Sequence, residues 1–274
     1  MAKHRNPLPT PEERAERKRT KNLQKLNKLI IVIAALVVLV AAFFTYSYFC
    51  GNPFSKMTAE KNIKLHIEQN YPSLELSAVK YDRETSAFYA EAASKTSVDT
   101  HFYVYAKGSE VWDYYEDSVK ELFNTIERVE NTFTEVAKTA LTEKGTVAKD
   151  GSVTVAVLDF IASRESGSFT LDMQVSSDIQ NDFVVYVELE KTASVQTAAE
   201  MLVEIKTTLD TADLPNIALY NLTLVEDGKE LIARNVPAED IGEGLLQKLS
   251  HALENPSSSL GAGEDERPLR VSIE

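Results

Sequence analysis

The chain has 274 residues, 43% of them hydrophobic and 26% charged, with a net charge of −13 and a single cysteine. This is a globular composition, so disorder does not describe the whole, and the acidic balance excludes nucleic acid as a partner because polyanion binding needs a basic footprint. One thiol excludes an internal disulfide, and Cys/His zinc spacings are absent.

Residues 1–28 hold nine Lys or Arg against three Glu, a leader of net +6; with −13 for the whole chain, everything after it carries −19. An unbroken apolar run follows from Leu29 to Phe49. At about 1.5 Å per residue this run spans roughly 32 Å as a helix, the hydrocarbon thickness of a bilayer. We read residues 29–50 as a single membrane-spanning helix whose partner is the lipid bilayer. Basic flanks stay on the cytoplasmic side, so the N-terminus is expected inside and the acidic body outside the membrane. A cleaved signal peptide has a shorter apolar core and a small-residue cleavage site, whereas Tyr46, Ser47, Tyr48 and Phe49 precede Cys50 here. Those bulky residues also argue against lipidation of Cys50, which is read as an interfacial cysteine beside an aromatic belt.

Gly51-Asn52-Pro53 breaks the membrane helix, and a second helix is expected after Ser55, with Ala59, Ile63, Ile67 and Tyr71 at helical spacing and Pro72 as its stop. Strands are expected over Leu74–Tyr81, Ser86–Ala92 and Thr100–Lys107, an antiparallel meander with one covered face. From Trp112 to Leu141 the period becomes helical, with a stripe that includes Phe123, Ile126, Val129 and Phe133, and this long helix is expected to cover the meander. The polar stretch Thr142–Gly151 reads as a domain boundary. Beyond it, strands are expected at Val153–Val157, Phe169–Ser176 and Phe183–Leu189. A helix over Val195–Leu209, a hairpin around Asp227-Gly228 and a last helix from Ile241 to Leu253 complete the pattern. The fold class is therefore α+β. The expected domains are a leader at 1–28, a membrane helix at 29–50, a first α+β domain at 51–145, a second at 146–255 and a disordered tail at 256–274.

The order of the anchor, Gly51-Asn52-Pro53, a short helix ending in Asn70-Tyr71-Pro72, strands that include His101-Phe102-Tyr103-Val104-Tyr105 and a helix after Asp113-Tyr114-Tyr115 resembles the YfjL-like group of small membrane-anchored proteins from Gram-positive bacteria. The likeness covers roughly residues 30–141. It implies an envelope location and this architecture, and it carries no catalytic residue across. The helix-plus-meander order also looks like cystatin-like and PepSY-type extracellular modules, an analogy of fold alone.

Candidate sites are few. His66, His101 and His251 lie far apart and read as surface or helix-flank histidines. Asp113, Glu116 and Asp117 offer oxygen ligands for a hard cation, but no EF-hand spacing surrounds them, and acids at a helix start are already favoured by its dipole. Tyr103, Tyr105, Trp112, Tyr114 and Tyr115 form either a binding surface or sheet packing. No G-x-S-x-G and no phosphate-cradling glycine loop occurs. No catalytic, cofactor or metal residue is assigned. The reading is a non-enzymatic, single-pass envelope protein that binds an unidentified protein or ligand; the alternative is a membrane-tethered enzyme acting on wall or secreted substrates.

Overall fold

The computed structural model describes residues 11–148, 151–255 and 267–274. The first ten residues of the leader, residues 149 and 150 of the expected boundary and residues 256–266 of the expected tail lie outside these. Among the described residues the fold is α+β, with two five-stranded sheets, and the chain divides into two compact units. The first runs to Ala92 and adds Tyr103–Trp112; the second comprises Ala93–Phe102 and Asp113–Glu274.

In the first unit, α1 is one continuous helix, Pro11–Cys50. Its apolar residues from Leu29 to Phe49 are exposed, and the helix is long and apolar enough to cross a membrane. It stops at Gly51, whose φ of +75° belongs to the left-handed region. Gly51 is also packed so closely that a Cβ there would stand 2.4 Å from the Phe88 ring and 2.7 Å from the Tyr81 ring. Gly51→Ala is accordingly expected to destabilise this unit by about 1–3 kcal/mol, combining a positive φ with a collision, as a thermal melt followed by the fluorescence of the sole tryptophan, Trp112, would record.

Asn52 then caps α2, Pro53–Asn70, its side-chain oxygen accepting the Phe54 N–H at 2.9 Å with proline in the first turn. Ala59, Ile63 and Ile67 form its buried face, as expected from their spacing. The sheet comprises β1 (Glu75–Leu76), β2 (Lys80–Asp82), β3 (Ala87–Ala93), β4 (His101–Lys107) and β5 (Glu110–Asp113) in the order β1-β3-β4-β5, with β2 also paired to β3. The single strand expected over Leu74–Tyr81 is two short ones. The segment around Trp112, expected to open the long helix, is strand β5. On β4 the alternation holds: Phe102, Val104 and Ala106 are buried while Tyr103 is exposed.

The second unit corrects the placement of the long helix. A five-residue π-helical turn, Glu116–Lys120, comes first, then Leu122 in the left-handed conformation at φ 60°, and only then α3, Phe123–Lys144. Its stripe of Ile126, Val129, Phe133, Ala137 and Leu141, expected to cover the meander, lies in one core with Val153, Val155, Phe183 and Leu202. Phe123, expected on that stripe, is 51% exposed. The boundary expected at Thr142–Gly151 is overturned for the same reason. The strand that follows it, β6 (Ser152–Val157), packs directly against α3, and Val147 in the linking stretch is buried.

Four more strands complete this sheet: β7 (Phe183–Glu190), β8 (Ile217–Glu226), β9 (Lys229–Pro237) and β10 (Arg270–Ile273), in the order β10-β9-β8-β7-β6. β7 and β8 are parallel, whereas the other pairs of this sheet are antiparallel, and their crossover is α5, Val195–Leu209, capped by Ser194. Asp227 and Gly228 both take positive φ at the β8–β9 turn, the conformation that an Asp-Gly hairpin favours. Short α4 (Phe160–Glu165) and α6 (Leu245–Glu254) lie outside the sheet.

No strand forms over Phe169–Ser176; Asp172 sits at φ 58° there and its backbone N–H is drawn to the Asp99 carboxylate, which breaks the pleat. The tail expected to be disordered is ordered at its end, since β10 pairs along β9 and buries Val271. At the opposite edge, α3 occupies the open side of β6. The Val155 N–H donates to Thr134 Oγ1 and the Val157 N–H to Glu130 Oε1, each at 2.8 Å, so this edge is not left to template another strand. Burial raises the Glu130 carboxyl above its usual range, the Val157 N–H opposes that, and neighbouring Glu127 adds to it.

Candidate functional site

Side chains two residues apart on a strand share a face, and neighbouring strands lie about 4.8 Å apart. In the first unit this geometry lines up aromatic rings across three strands. Tyr89 of β3 and Tyr105 of β4 stack at 5.4 Å and 26°, and Tyr105 stacks on Trp112 of β5 at 5.5 Å and 11°. Tyr103 meets the Tyr89 ring edge-on at 5.6 Å.

A groove of about 390 Å³ opens beside this ladder, walled by Tyr89, Tyr103 and Tyr105, by Tyr81-Asp82-Arg83 and by Phe49 at the end of α1. The turn that forms its rim is held by Asp82, whose Oδ2 accepts the Thr85 hydroxyl at 2.6 Å and whose Oδ1 accepts the Glu84 N–H at 2.9 Å. The Thr85 hydroxyl, then the Glu84 N–H, hold that carboxyl below its usual range. Arg83 leaves the turn and lays its guanidinium 5.0 Å from the Tyr48 ring centroid and 5.4 Å from that of Phe49. Lys107 reaches the same turn, donating to the Thr85 carbonyl at 2.9 Å. The site is thus aromatic on one side and cationic at the rim.

Of the residues singled out in the sequence, Tyr103, Tyr105 and Trp112 are brought together here. Tyr115 instead packs edge-on against Phe102 in the second unit, and Tyr114 is exposed outside the ladder. Tyr89 and Arg83 were not anticipated. Tyr89 had a signal, since it alternates with buried Phe88 and Ala90, whereas nothing local distinguishes Arg83 from any turn residue.

The other candidates do local work. Asp113 accepts the Tyr115 N–H and Glu116 pairs with Lys120; Asp117 lies with them in the π-helical turn and its approach, not in the first turn of the long helix. His66 lies on α2 in the first unit, while His101 on β4 and His251 on α6 belong to the second. Among the described residues, no three His, Cys, Asp or Glu side chains converge as a metal site. Cys50 is exposed at the end of α1.

A larger cavity of about 710 Å³ lies in the second unit beside α4 and the loop before β7. Its carboxylates are occupied with holding that loop: Asp159 caps α4, Asp182 accepts from Asn216 and Asp178 from Ser176. The Asn181 amide nitrogen is buried there without a partner.

Residues 26–113, which take in the apolar part of α1, α2 and the first sheet, match the family described as YfjL-like, N-terminal domain. The match ends with β5, at Asp113. The chain is also 29% identical over 155 residues to the Uncharacterized protein YfjL of Bacillus subtilis (strain 168), across 54% of this chain and 62% of that protein's length. No solved structure matches.

Proposed function

We propose that this is a single-pass, membrane-anchored binding module, with its N-terminus cytoplasmic, its body extracytoplasmic at the cell envelope, and no catalytic role. The supporting observation is that the ring ladder and its groove begin where the apolar part of α1 ends, Phe49 belonging to both. A row of exposed bulky apolar residues on a helix is costly in water and favourable in hydrocarbon, and the +6 leader against a −19 body sets the direction of insertion. Tyr and Trp are enriched at binding hot spots, which suits the ladder to recognition.

Two measurements test this. External protease added to intact cells stripped of their wall is expected to digest the body while an epitope tag at Lys3 survives; loss of the tag overturns the orientation. A photo-crosslinking amino acid at Tyr103 is expected to yield an adduct in intact membranes that the same probe at exposed Glu188 does not. Equal labelling at both positions, or none at Tyr103, rejects the ladder as the binding surface.

A further inference from the structure

We infer that the groove beside the ring ladder holds the phosphate of an anionic phospholipid headgroup, with Arg83 as its charged partner, so that the first unit is seated on the bilayer that its own helix enters. This deepens the binding-module reading and rests on α1 lying in a membrane.

Three features lead to this ligand. The first is height: Phe49 closes the apolar run and also walls the groove, so the groove opens at the level where hydrocarbon gives way to headgroups. The second is the state of Arg83. Among the described residues no carboxylate pairs with it; the neighbouring Asp82 has both oxygens engaged by Thr85 and Glu84. Its guanidinium is stacked on Tyr48 and Phe49, with a long 3.5 Å approach to the Tyr48 hydroxyl. A guanidinium held by its face keeps in-plane N–H groups available, and that planar fork matches two phosphate oxygens. The third is the company it keeps. Lys107 brings a second cation to the same turn, and the tyrosine walls offer ring surface for the first methylenes of an acyl chain. The acidity of the body as a whole does not oppose this, because charges beyond about 8 Å are largely screened at physiological ionic strength.

Trp112 is the sole tryptophan and ends the same ladder, which makes it the reporter. The full chain would be reconstituted into bilayer discs of phosphatidylcholine containing a trace of phosphatidylglycerol or phosphatidylcholine, each spin-labelled near the glycerol end of one acyl chain. The expected result is stronger quenching of Trp112 by labelled phosphatidylglycerol, reversed by unlabelled phosphatidylglycerol. In Arg83→Ala the amount of competitor needed is expected to rise about fivefold, the weight of one cation near an anionic surface. Arg83 is in an exposed turn, so an unchanged Trp112 emission maximum will certify that the variant is folded. Equal quenching by the two labelled lipids in the wild type overturns the inference, as does an Arg83→Ala variant with undiminished preference. Glycerol phosphate in solution that competes as well as the lipid would mark a soluble phosphate ligand and overturn it too. Failure of the chain to enter the discs is a separate result, which removes the membrane reading itself.

Discussion

Phe133→Ala is expected to destabilise the second unit by about 3–5 kcal/mol, a large part of the roughly 5–15 kcal/mol that holds a domain together. Phe133 is 2% exposed on α3 and meets Phe183 of β7 edge-on at 5.4 Å, so truncation removes one ring of a buried pair and leaves a cavity between helix and sheet. For a unit of this size 1 kcal/mol shifts the melting midpoint by about 2–4 °C, which predicts a fall of roughly 6–20 °C in the detergent-solubilised full chain. The contrast with Phe123 sharpens the test. Phe123 heads the same helix but is half exposed, and Phe123→Ala is expected to change the midpoint by only a few degrees. A shift below about 2 °C for Phe133→Ala would reject its place in the core.

Arg128→Ala is the second large effect. Asp99 is 1% exposed, and its carboxylate takes Arg128 Nε on Oδ1 at 2.6 Å and Arg128 Nη2 on Oδ2 at 2.8 Å. The Thr125 hydroxyl at 2.9 Å and the Asp172 N–H at 2.8 Å complete its shell. Asp172 replies in kind, its Oδ1 accepting the Asp99 N–H and the Ser97 hydroxyl, each at 2.9 Å. Three segments distant in sequence are thereby tied to one buried charge. Removing the guanidinium leaves that charge desolvated and uncompensated, which costs about 3 kcal/mol here, the lower end for such pairs because Arg128 itself reaches solvent.

Burial pushes the Asp99 carboxyl upward, but Arg128, Thr125 and the Asp172 N–H outweigh it and hold the group below its usual range. A depressed acid contributes stability that is complete above its unfolded value of about 4 and is lost as pH falls through the folded value. Denaturant melts from pH 7 down to pH 2 are therefore expected to show a decline below pH 4 in the wild type. Asp99→Asn is expected to be less stable at pH 7 and to lose this part of the decline; an unchanged acid limb would show that Asp99 does not carry it.

Much of the local structure was legible in the residues themselves. The apolar run, the Gly-Asn-Pro break, the Ala59-Ile63-Ile67 stripe and the Asp-Gly turn each depend on short-range geometry, and each forms as expected. The aromatic alternation on β4 likewise announced a two-faced strand. What was misread depends on partners far along the chain. The period of α3 shows that it has a buried face and is silent about which sheet receives it; that was decided by the fit of Phe133 against Phe183 and by Thr134 and Glu130 meeting the open edge of β6. The polar, glycine-bearing stretch before β6 has the composition of a linker, yet Val147 is buried within it because the helix and strand it joins are already in contact.

Taken by itself, then, the sequence determined which segments are apolar, where helices and turns begin, the α+β class and the charge step across the membrane-length helix, because all of these follow from neighbouring residues and composition. Only the tertiary structure decided that α3 belongs to the second sheet, that residues 270–273 form a strand, and that Tyr89, Tyr105, Trp112 and Arg83 come together beside the end of α1. Strand pairing and core docking are choices among many surfaces of similar hydrophobicity, and shape and hydrogen-bond complementarity between distant residues make the choice.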